Sequence, residues 1–572
     1  MLRFISYRRA HTESVRLRPF RIVAYAALIG VLSSATVNLG ALSGLRVQSA
    51  LASSTYRTTV LTDNPSVYYR FDESSGTTAH DSTSNGLDAT YQSSVTLGTG
   101  SALTGDSDTS INISGGNGNG AATRAETGIP TGSSARTAEI WFQSTSNSYL
   151  PLFYWGQTGA PTSQFFLYVT NGNELFLSSY SYGVGGYAPY SLNDGSWHYA
   201  AATYDGNTTM TLYVDGLQVG RGSIPTTLNT VSTASLLIGG DGSNAFSGYL
   251  DEAAIYPSAL TASALNKHWL AGRAVASGCG AQPTTGYGAA VLADSPVEYM
   301  RLGEASGVAA LDATASCRAG AYTNGVNHGG GPLVNEGGHS VTAPSTTADG
   351  ASISSELVPV GQAARSVELW ENTTQSGIIP LLYYGDTTGT VSQFYVYLHD
   401  STTVYLSSYS YAVTATSSRS LEDGNWHQIV VTYDGNLSVH IYADGAQIGS
   451  GNLGAALNTK SDSAVIVDGC NCGNPPYGSV SEVSIYSSVL ASSRAKAHYM
   501  ASGHTTPISS PVTATAAPTG APACQTCATA SFTVGQMTKF PINTESGNFY
   551  HSFADISIPG RSYPLALTRT YN

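Results

Sequence analysis

The feature that most constrains this chain is an internal repeat too long to be a stacking unit. Val60-Leu61, Asp63, Pro65, Tyr68, Arg70, Glu73, Gly76 and Asp81 return as Val291-Leu292, Asp294, Pro296, Tyr299, Arg301, Glu304, Gly307 and Asp312, each displaced by 231 positions. Arg136, Glu139 and Trp141 return as Arg365, Glu368 and Trp370 at a displacement of 229. The same displacement relates Ser178-Ser179-Tyr180-Ser181-Tyr182 to Ser407-Ser408-Tyr409-Ser410-Tyr411, and Asp194-Gly195-Ser196-Trp197-His198 to Asp423-Gly424-Asn425-Trp426-His427. Leu250 to Tyr256 matches Val480 to Tyr486 at 230. Solenoid and propeller units repeat every ~20–50 residues. A displacement that drifts by two residues over more than 200 positions is a duplicated domain with small changes in its loops.

Inside each copy the local signals are strands and tight turns. Phe165-Phe166-Leu167-Tyr168-Val169 and Met210-Thr211-Leu212-Tyr213-Val214 are β-branched and aromatic runs of strand length. Asp205-Gly206, Asp215-Gly216, Asp434-Gly435 and Asp444-Gly445 supply the residue pair that two-residue hairpins favour, because it tolerates positive φ. No heptad or long helical period runs through the sequence. Only 11% of residues are charged, against about 25% in ordinary soluble domains, and Gly, Ser, Thr and Tyr take up the difference. The expected fold is all-β, with two tandem sandwiches of the jelly-roll kind. The net charge of −13 argues against a nucleic-acid partner, whose phosphates demand a basic surface.

The ordered set Tyr68, Arg70, Glu73, Gly76 and Asp81, then Glu139 and Trp141, then Asp194-Gly195-Ser196-Trp197-His198, Tyr204-Asp205-Gly206, Asp215-Gly216 and finally Asp251-Glu252…Ile255-Tyr256 resembles the laminin-G-like, concanavalin A-type jelly roll. The resemblance covers about residues 56–273 and 287–503. It implies a two-sheet sandwich of the kind used in adhesins, in matrix proteins and as accessory modules of secreted carbohydrate enzymes. It further implies a structural calcium site at the Asp81 and Asp251 positions, since carboxylates suit a hard cation. The second copy keeps Asp312 but has Ser481 in place of the second aspartate. An aspartate closing its own loop is the plain alternative for Asp81.

Catalysis is not expected. Glycosidases place two carboxylates across the scissile bond, about 5–9 Å apart, and no Glu-x-Asp-x-x-Glu string occurs here. Asp251 and Glu252 are adjacent and on a regular strand would point to opposite faces. His198 and His427 follow tryptophans with no nucleophile or second ligand recurring beside them, and read as structural. Tyr180 with Tyr182, and Tyr409 with Tyr411, are the candidate ligand-binding residues, because positions i and i+2 share a sheet face and flat rings stack on sugars. The alternative puts those rings in the sandwich interior.

Residues 1–52 read as a signal peptide or a signal anchor. A basic leader from Arg3 to Arg21 precedes 24 uncharged residues, and Ala50-Leu51-Ala52 offers a cleavage site. The chain is therefore expected outside the cytoplasm, touching membrane only through an N-terminal anchor. Six cysteines suit an oxidising destination, and Cys524-x-x-Cys527 lacks the second pair that a zinc site requires. Residues 504–533 form a Pro-, Thr- and Ala-rich linker. Residues 534–572, with Pro541-Ile542-Asn543-Thr544 and Pro564-Leu565-x-Leu567-Thr568-Arg569, resemble the opening of the segment that precedes Rhs/YD repeats in large bacterial surface and toxin proteins. That resemblance implies a longer parent protein. The expected division is 1–52, a first domain at 53–273, a linker at 274–286, a second domain at 287–503, then linker and tail. The expected function is a secreted, non-catalytic binding or adhesion protein meeting a glycan or a cell-surface protein. A spacer that displays the Rhs element is the alternative, and an accessory module of a carbohydrate-active enzyme stands behind both.

Overall fold

The computed structural model describes residues 55–505, apart from short stretches at 93, 115–119, 232–234, 324–325, 331–339, 343–349, 357, 387–388, 462–463 and 471–477. The leader, the Pro/Thr-rich linker from residue 506 onward, the tail, Cys472, Cys524 and Cys527 lie outside the described residues.

Each copy forms two eight-stranded sheets, paired antiparallel throughout. In the first copy one sheet runs from the edge strand Leu217–Ser223 through Thr209–Val214, Trp197–Tyr204, Arg136–Gln143 and Ser247–Tyr256 to Thr109–Ser114 and Val95–Gly100. The other runs from Gly183–Tyr187 through Glu174–Ser178, Gln164–Thr170 and Leu150–Gly156 to Ser235–Ile238 and the short strands beyond. The second copy repeats both orders, so the all-β expectation of tandem jelly-roll sandwiches holds. The Asp-Gly turns behave as expected where two residues close the hairpin. Asp215 and Gly216 sit at φ 48° and 76°, and Asp444 and Gly445 at 46° and 75°.

The repeated Arg-x-x-Glu-x-Trp string builds the interior. Trp141 and Trp370 are fully buried, and so are the guanidinium groups of Arg136 and Arg365. Arg136 donates to the carbonyls of Ser134 and Gly132 and to Thr230 Oγ1, at 2.8–3.0 Å. Arg365 repeats this with Ala363, Gly361 and Thr459. A buried cation is tolerated because these donors are matched by carbonyls and a hydroxyl.

A helix closes each copy. Thr261 caps the first, Ala262–Gly272, by accepting from the Ala264 amide, and the helix buries Leu265 and Trp269. The copies are in contact. Gln218 Nε2 donates to the Ser461 carbonyl at 2.5 Å, and Asn266 Nδ2 to that of Ala319 at 2.9 Å. Ala309, Ala319 and Ala321 of the second copy join the apolar core of the first. A Cys279–Cys317 disulfide pins the connector to the second copy. No helix among the described residues is long and apolar enough to cross a membrane.

Candidate functional site

The strand Gln164–Thr170 presents two faces. Phe165, Leu167 and Val169 are buried in the core, while Phe166 and Tyr168 lie on the other face of the sheet, Phe166 still buried there and Tyr168 half-buried. Across neighbouring strands the outward positions form a ladder of rings. Tyr154 lies 5.3 Å from Phe166, Phe166 4.8 Å from Tyr168, and Tyr168 5.3 Å from Phe176, stacked at 27°. Gly183 and Gly185 on the next strand make room for it: a Cβ at Gly183 would fall 2.3 Å from the Phe176 ring. The second copy has Tyr383, Tyr395, Tyr397 and Tyr405 at the same four places, with centroids 4.5–5.7 Å apart. Every ladder position is aromatic in both copies, at the same displacement of 229.

The four tyrosines singled out from sequence stand at the end of this face, but not on a strand. Tyr180 and Tyr182 lie in the turn between Glu174–Ser178 and Gly183–Tyr187, closed by a 2.7 Å bond from the Ser179 amide to the Tyr182 carbonyl. Tyr409 and Tyr411 lie in the equivalent turn. Tyr180 and Tyr409 take φ near 90°, so the alternation that would align i with i+2 does not operate. All four rings are exposed, from 38% for Tyr182 to 56% for Tyr409. The interior placement is therefore not what the chain adopts.

The acidic residues separate into two groups. Asp81 is used up by its own loop, accepting from the amides of Tyr68, Thr83 and Leu87 and from Thr83 Oγ1 at 2.7–3.1 Å. Asp312 does the same with the amides of Tyr299, Thr314 and Arg318 and the hydroxyls of Thr314 and Ser316. Asp251 instead meets Asp108 and Glu252, with one oxygen of each within 4.8 Å of the others. The expectation that Asp251 and Glu252 diverge fails because the strand bulges there. Glu252 adopts φ 52° and the register with Arg136–Gln143 slips between Asp251 and Ala254. A bulge re-aims side chains, and here it turns two adjacent carboxylates to one side. Arg70 pairs with Asp108 and, at 3.4 Å, with Glu252.

Burial pushes the carboxyls of Asp251 and Glu252 well above the usual range, and the neighbouring acidic charges push the same way. Oδ1 of Asp251 is buried without a hydrogen-bond partner. The donor set, oxygen only and more acidic than Arg70 alone can balance, fits a hard cation such as calcium. In the second copy Glu482 takes the same bulged conformation, but Ser481 replaces the aspartate and Arg301 pairs with Glu482.

Two further networks were not expected from sequence. Glu139, fully buried, accepts from Tyr199 Oη at 2.5 Å, Tyr256 Oη at 2.6 Å and His268 Nδ1 at 2.8 Å, and His268 Nε2 reaches Asp63 at 3.0 Å. Glu368 and His498 repeat the pairing at 2.7 Å. His198 and His427, read as structural, are each held 2.8 Å from a buried aspartate, Asp215 and Asp444.

Two antiparallel sheets in this strand order, repeated in both copies, define the class as jelly-roll sandwiches. The family profile of the concanavalin A-like lectin/glucanases superfamily matches residues 114–266 and 345–495, and the chain belongs to this superfamily. No curated protein sequence matches significantly. Among solved structures, the chain is similar to the binding domain of botulinum neurotoxin serotype G, at 12% identity and a TM-score of 0.29, over 36% of this chain and 51% of that one. Mouse laminin alpha1 domains LG4-5 match at 12% identity and 0.21, over 64% of this chain and 88% of that one. Domain 4 of the extracellular arabinanase AbnA from Geobacillus stearothermophilus, in complex with arabinotriose, matches at 20% identity and 0.22, over 35% and 85%.

Proposed function

We propose that this chain is an extracellular, non-catalytic adhesion protein whose two modules, bounded at 53–273 and 287–503, bind glycans through the aromatic ladder and its tyrosine turn. The observation that carries the reading is the ladder on this face of the sheet, aromatic at all four positions in both copies and half-buried at Tyr168, Phe176, Tyr397 and Tyr405. Stacked rings offer apolar faces to sugar rings and, from tyrosine, hydroxyls to their edges. The clustered carboxylates of Asp251 and Glu252 are fully buried, beyond the reach of a glycosidic bond, which supports a non-catalytic role. Calcium held by Asp108, Asp251 and Glu252 would neutralise this buried acidic cluster of the first copy. The tail is assigned to the start of an Rhs-type element that these modules precede, and the leader to export. A cell-surface protein is the other partner class that such a face accommodates.

A glycan array probed with the full chain tests this. Tyr180→Ala with Tyr182→Ala, and Tyr409→Ala with Tyr411→Ala, alter exposed rings and should shift stability by no more than about 0.5 kcal/mol. Together with Tyr168→Ala and Tyr397→Ala they should abolish array binding. Undiminished binding by all of these variants, or none by the parent chain, defeats the proposal.

A further inference from the structure

A cleft of about 300 Å³ opens where the edge strand Leu217–Ser223 of the first copy meets the second copy. Arg221, Gly222 and Ser223 line one side with Thr209 from the neighbouring strand, and Lys460 and Ser461 line the other. The walls carry two cations and no acid, in a chain where Asp and Glu outnumber Lys and Arg by 37 to 24. Arg221 and Lys460 are both exposed, so a solute entering the cleft can reach them.

The contact between the copies does not require these charges. Neutral groups make it: Gln218 Nε2 donates to the Ser461 carbonyl at 2.5 Å, and Ser355 Oγ to the same oxygen at 2.9 Å. Neither Arg221 nor Lys460 has an ion pair among the described residues. The acids nearby are engaged elsewhere. Glu356, whose charge reaches Tyr213 together with that of Arg221, is bound by Arg318 at 3.2 Å. Asp205, beyond Thr209, accepts from the amides of Asn207 and Thr209 in its own turn. Two like charges set at one cleft repel, and an anion between them removes that cost.

The duplication shows that the fold asks for neither cation. At the displacement of 229, Arg221 corresponds to Ser450 and Lys460 to Val231. Each copy therefore folds with an uncharged residue where the other carries its cation. The two charges meet only at the junction, one supplied by each copy.

The donors specify the ligand. A guanidinium fork pairs with two oxygens of a carboxylate, sulfate or phosphate, a lysine adds a point charge, and the hydroxyls of Ser223 and Ser461 can donate to the same group. The volume lies at the small end of the ~300–1,000 Å³ of ligand sites, which suits one charged group and not a polymer. The net charge of −13 also opposes the approach of a long polyanion.

We infer that the cleft between Arg221 and Lys460 is an oxyanion site that holds a single carboxylate, sulfate or phosphate group, free or borne on a small sugar. It stands apart from the aromatic face, does not depend on it, and exists only in the joined tandem.

Lysine acetylation of the full chain, followed residue by residue by mass spectrometry, tests the site. Lys267 and Lys496 are exposed like Lys460 and serve as internal references. With ionic strength held constant by sodium chloride, sodium sulfate, sodium phosphate, D-glucuronate and N-acetyl-D-glucosamine 6-sulfate are each titrated, with D-glucose as the uncharged comparison. At least one oxyanion should slow acetylation of Lys460 saturably and leave Lys267 and Lys496 unchanged. Arg221→Ser, which installs the residue of the second copy, should raise the half-protecting concentration about tenfold, the lower end expected for lost charge-assisted hydrogen bonds. Reference lysines that react at the wild-type rate would show that this variant is folded. Calorimetric titration with the protecting anion should show a comparable loss for Lys460→Val. Stronger protection by the sugar-borne anions than by sulfate and phosphate assigns the group to a saccharide, and equal protection assigns it to the free anion; both keep the site. Equal slowing of all three lysines, slowing by D-glucose to the same extent, no slowing by any oxyanion, or protection indifferent to Arg221→Ser overturns it.

Discussion

Replacing Glu139 by Gln is the sharpest probe of what holds the first sandwich together. The carboxylate has no solvent contact and serves Tyr199, Tyr256 and His268 at once. Glutamine keeps the shape but leaves His268 charged against Asp63 alone, and Asp63 is partly exposed. Breaking one side of a buried ion pair costs about 3–5 kcal/mol. For a domain of this size each kcal/mol moves the midpoint by roughly 2–4 °C, so calorimetry of the full chain should show one transition falling by about 6–20 °C. The pH dependence supplies a second readout. Burial alone would lower the His268 pKa, but the charge of Glu139 and the hydrogen bonds that His268 donates to Asp63 and Glu139 outweigh it and raise the value to about 9. A group raised in the folded state gives its full stabilisation below its unfolded pKa, about 6.5. That contribution fades as pH climbs toward 9. His198, also raised to about 9 against the pull of burial by Asp215 and Asp194, adds to the same alkaline loss. Wild type should therefore lose first-copy stability between about pH 6.5 and 9, and Glu139→Gln should flatten part of that slope. A shift under 2 °C, or an unchanged slope, would refute the assignment of this network as the keystone. Glu368→Gln should act on the second copy in the same way, since His498 is raised chiefly by Glu368 against its burial.

Two more outcomes are expected. Removing calcium with a chelator should lower the first melting transition and leave the second in place, because Ser481 stands where Asp251 does; at free calcium a hundredfold above its dissociation constant the loss is about 2.7 kcal/mol, and Asp251→Ser should abolish the effect, whereas equal shifts in both transitions would sink the calcium assignment. Reducing the Cys279–Cys317 disulfide, which closes a loop of 38 positions, should cost the second copy about 4 kcal/mol by chain entropy, and an unmoved second transition in reductant would count against it.

The repeat alone was enough to read tandem sandwiches, because a displacement held over 200 positions can only be a domain, and strand-length aromatic runs with Asp-Gly turns leave few folds for it. The ladder was harder to see. Phe165 to Val169 is apolar at every position, so the two-residue alternation that marks an outward face is invisible there. A polar outer face announces itself by contrast with the core, whereas a face built to hold a ligand by stacking looks like more core. The bulge at Glu252 was also illegible, since a non-glycine residue at positive φ carries no composition signal and Asp108, its third partner, is far away in the chain. His268 escaped because its tie to Glu139 spans 129 positions, although His498 repeats it at a displacement of 230.

That displacement offers a way to sort function from scaffold within a single sequence. Duplicated domains start with the same residues, and each copy must keep whatever its own fold requires. Arg136, Glu139, Trp141 and His268 persist as Arg365, Glu368, Trp370 and His498, and all eight side chains are buried. Their persistence needs no ligand to explain it. The ladder behaves differently: its rings are partly outward, and a soluble sandwich could place threonine or lysine at Tyr168 and Tyr397 without touching the core. Phe166, Tyr383 and Tyr395 are buried among their neighbours, so packing accounts for their persistence, whereas the half-buried Tyr168 and Tyr397 are not held in place by the core. The acid cluster shows the opposite pattern. Asp251 has become Ser481, and Trp269 has become Tyr499 beneath His504. Those positions mark where the two halves of the tandem differ in side-chain chemistry.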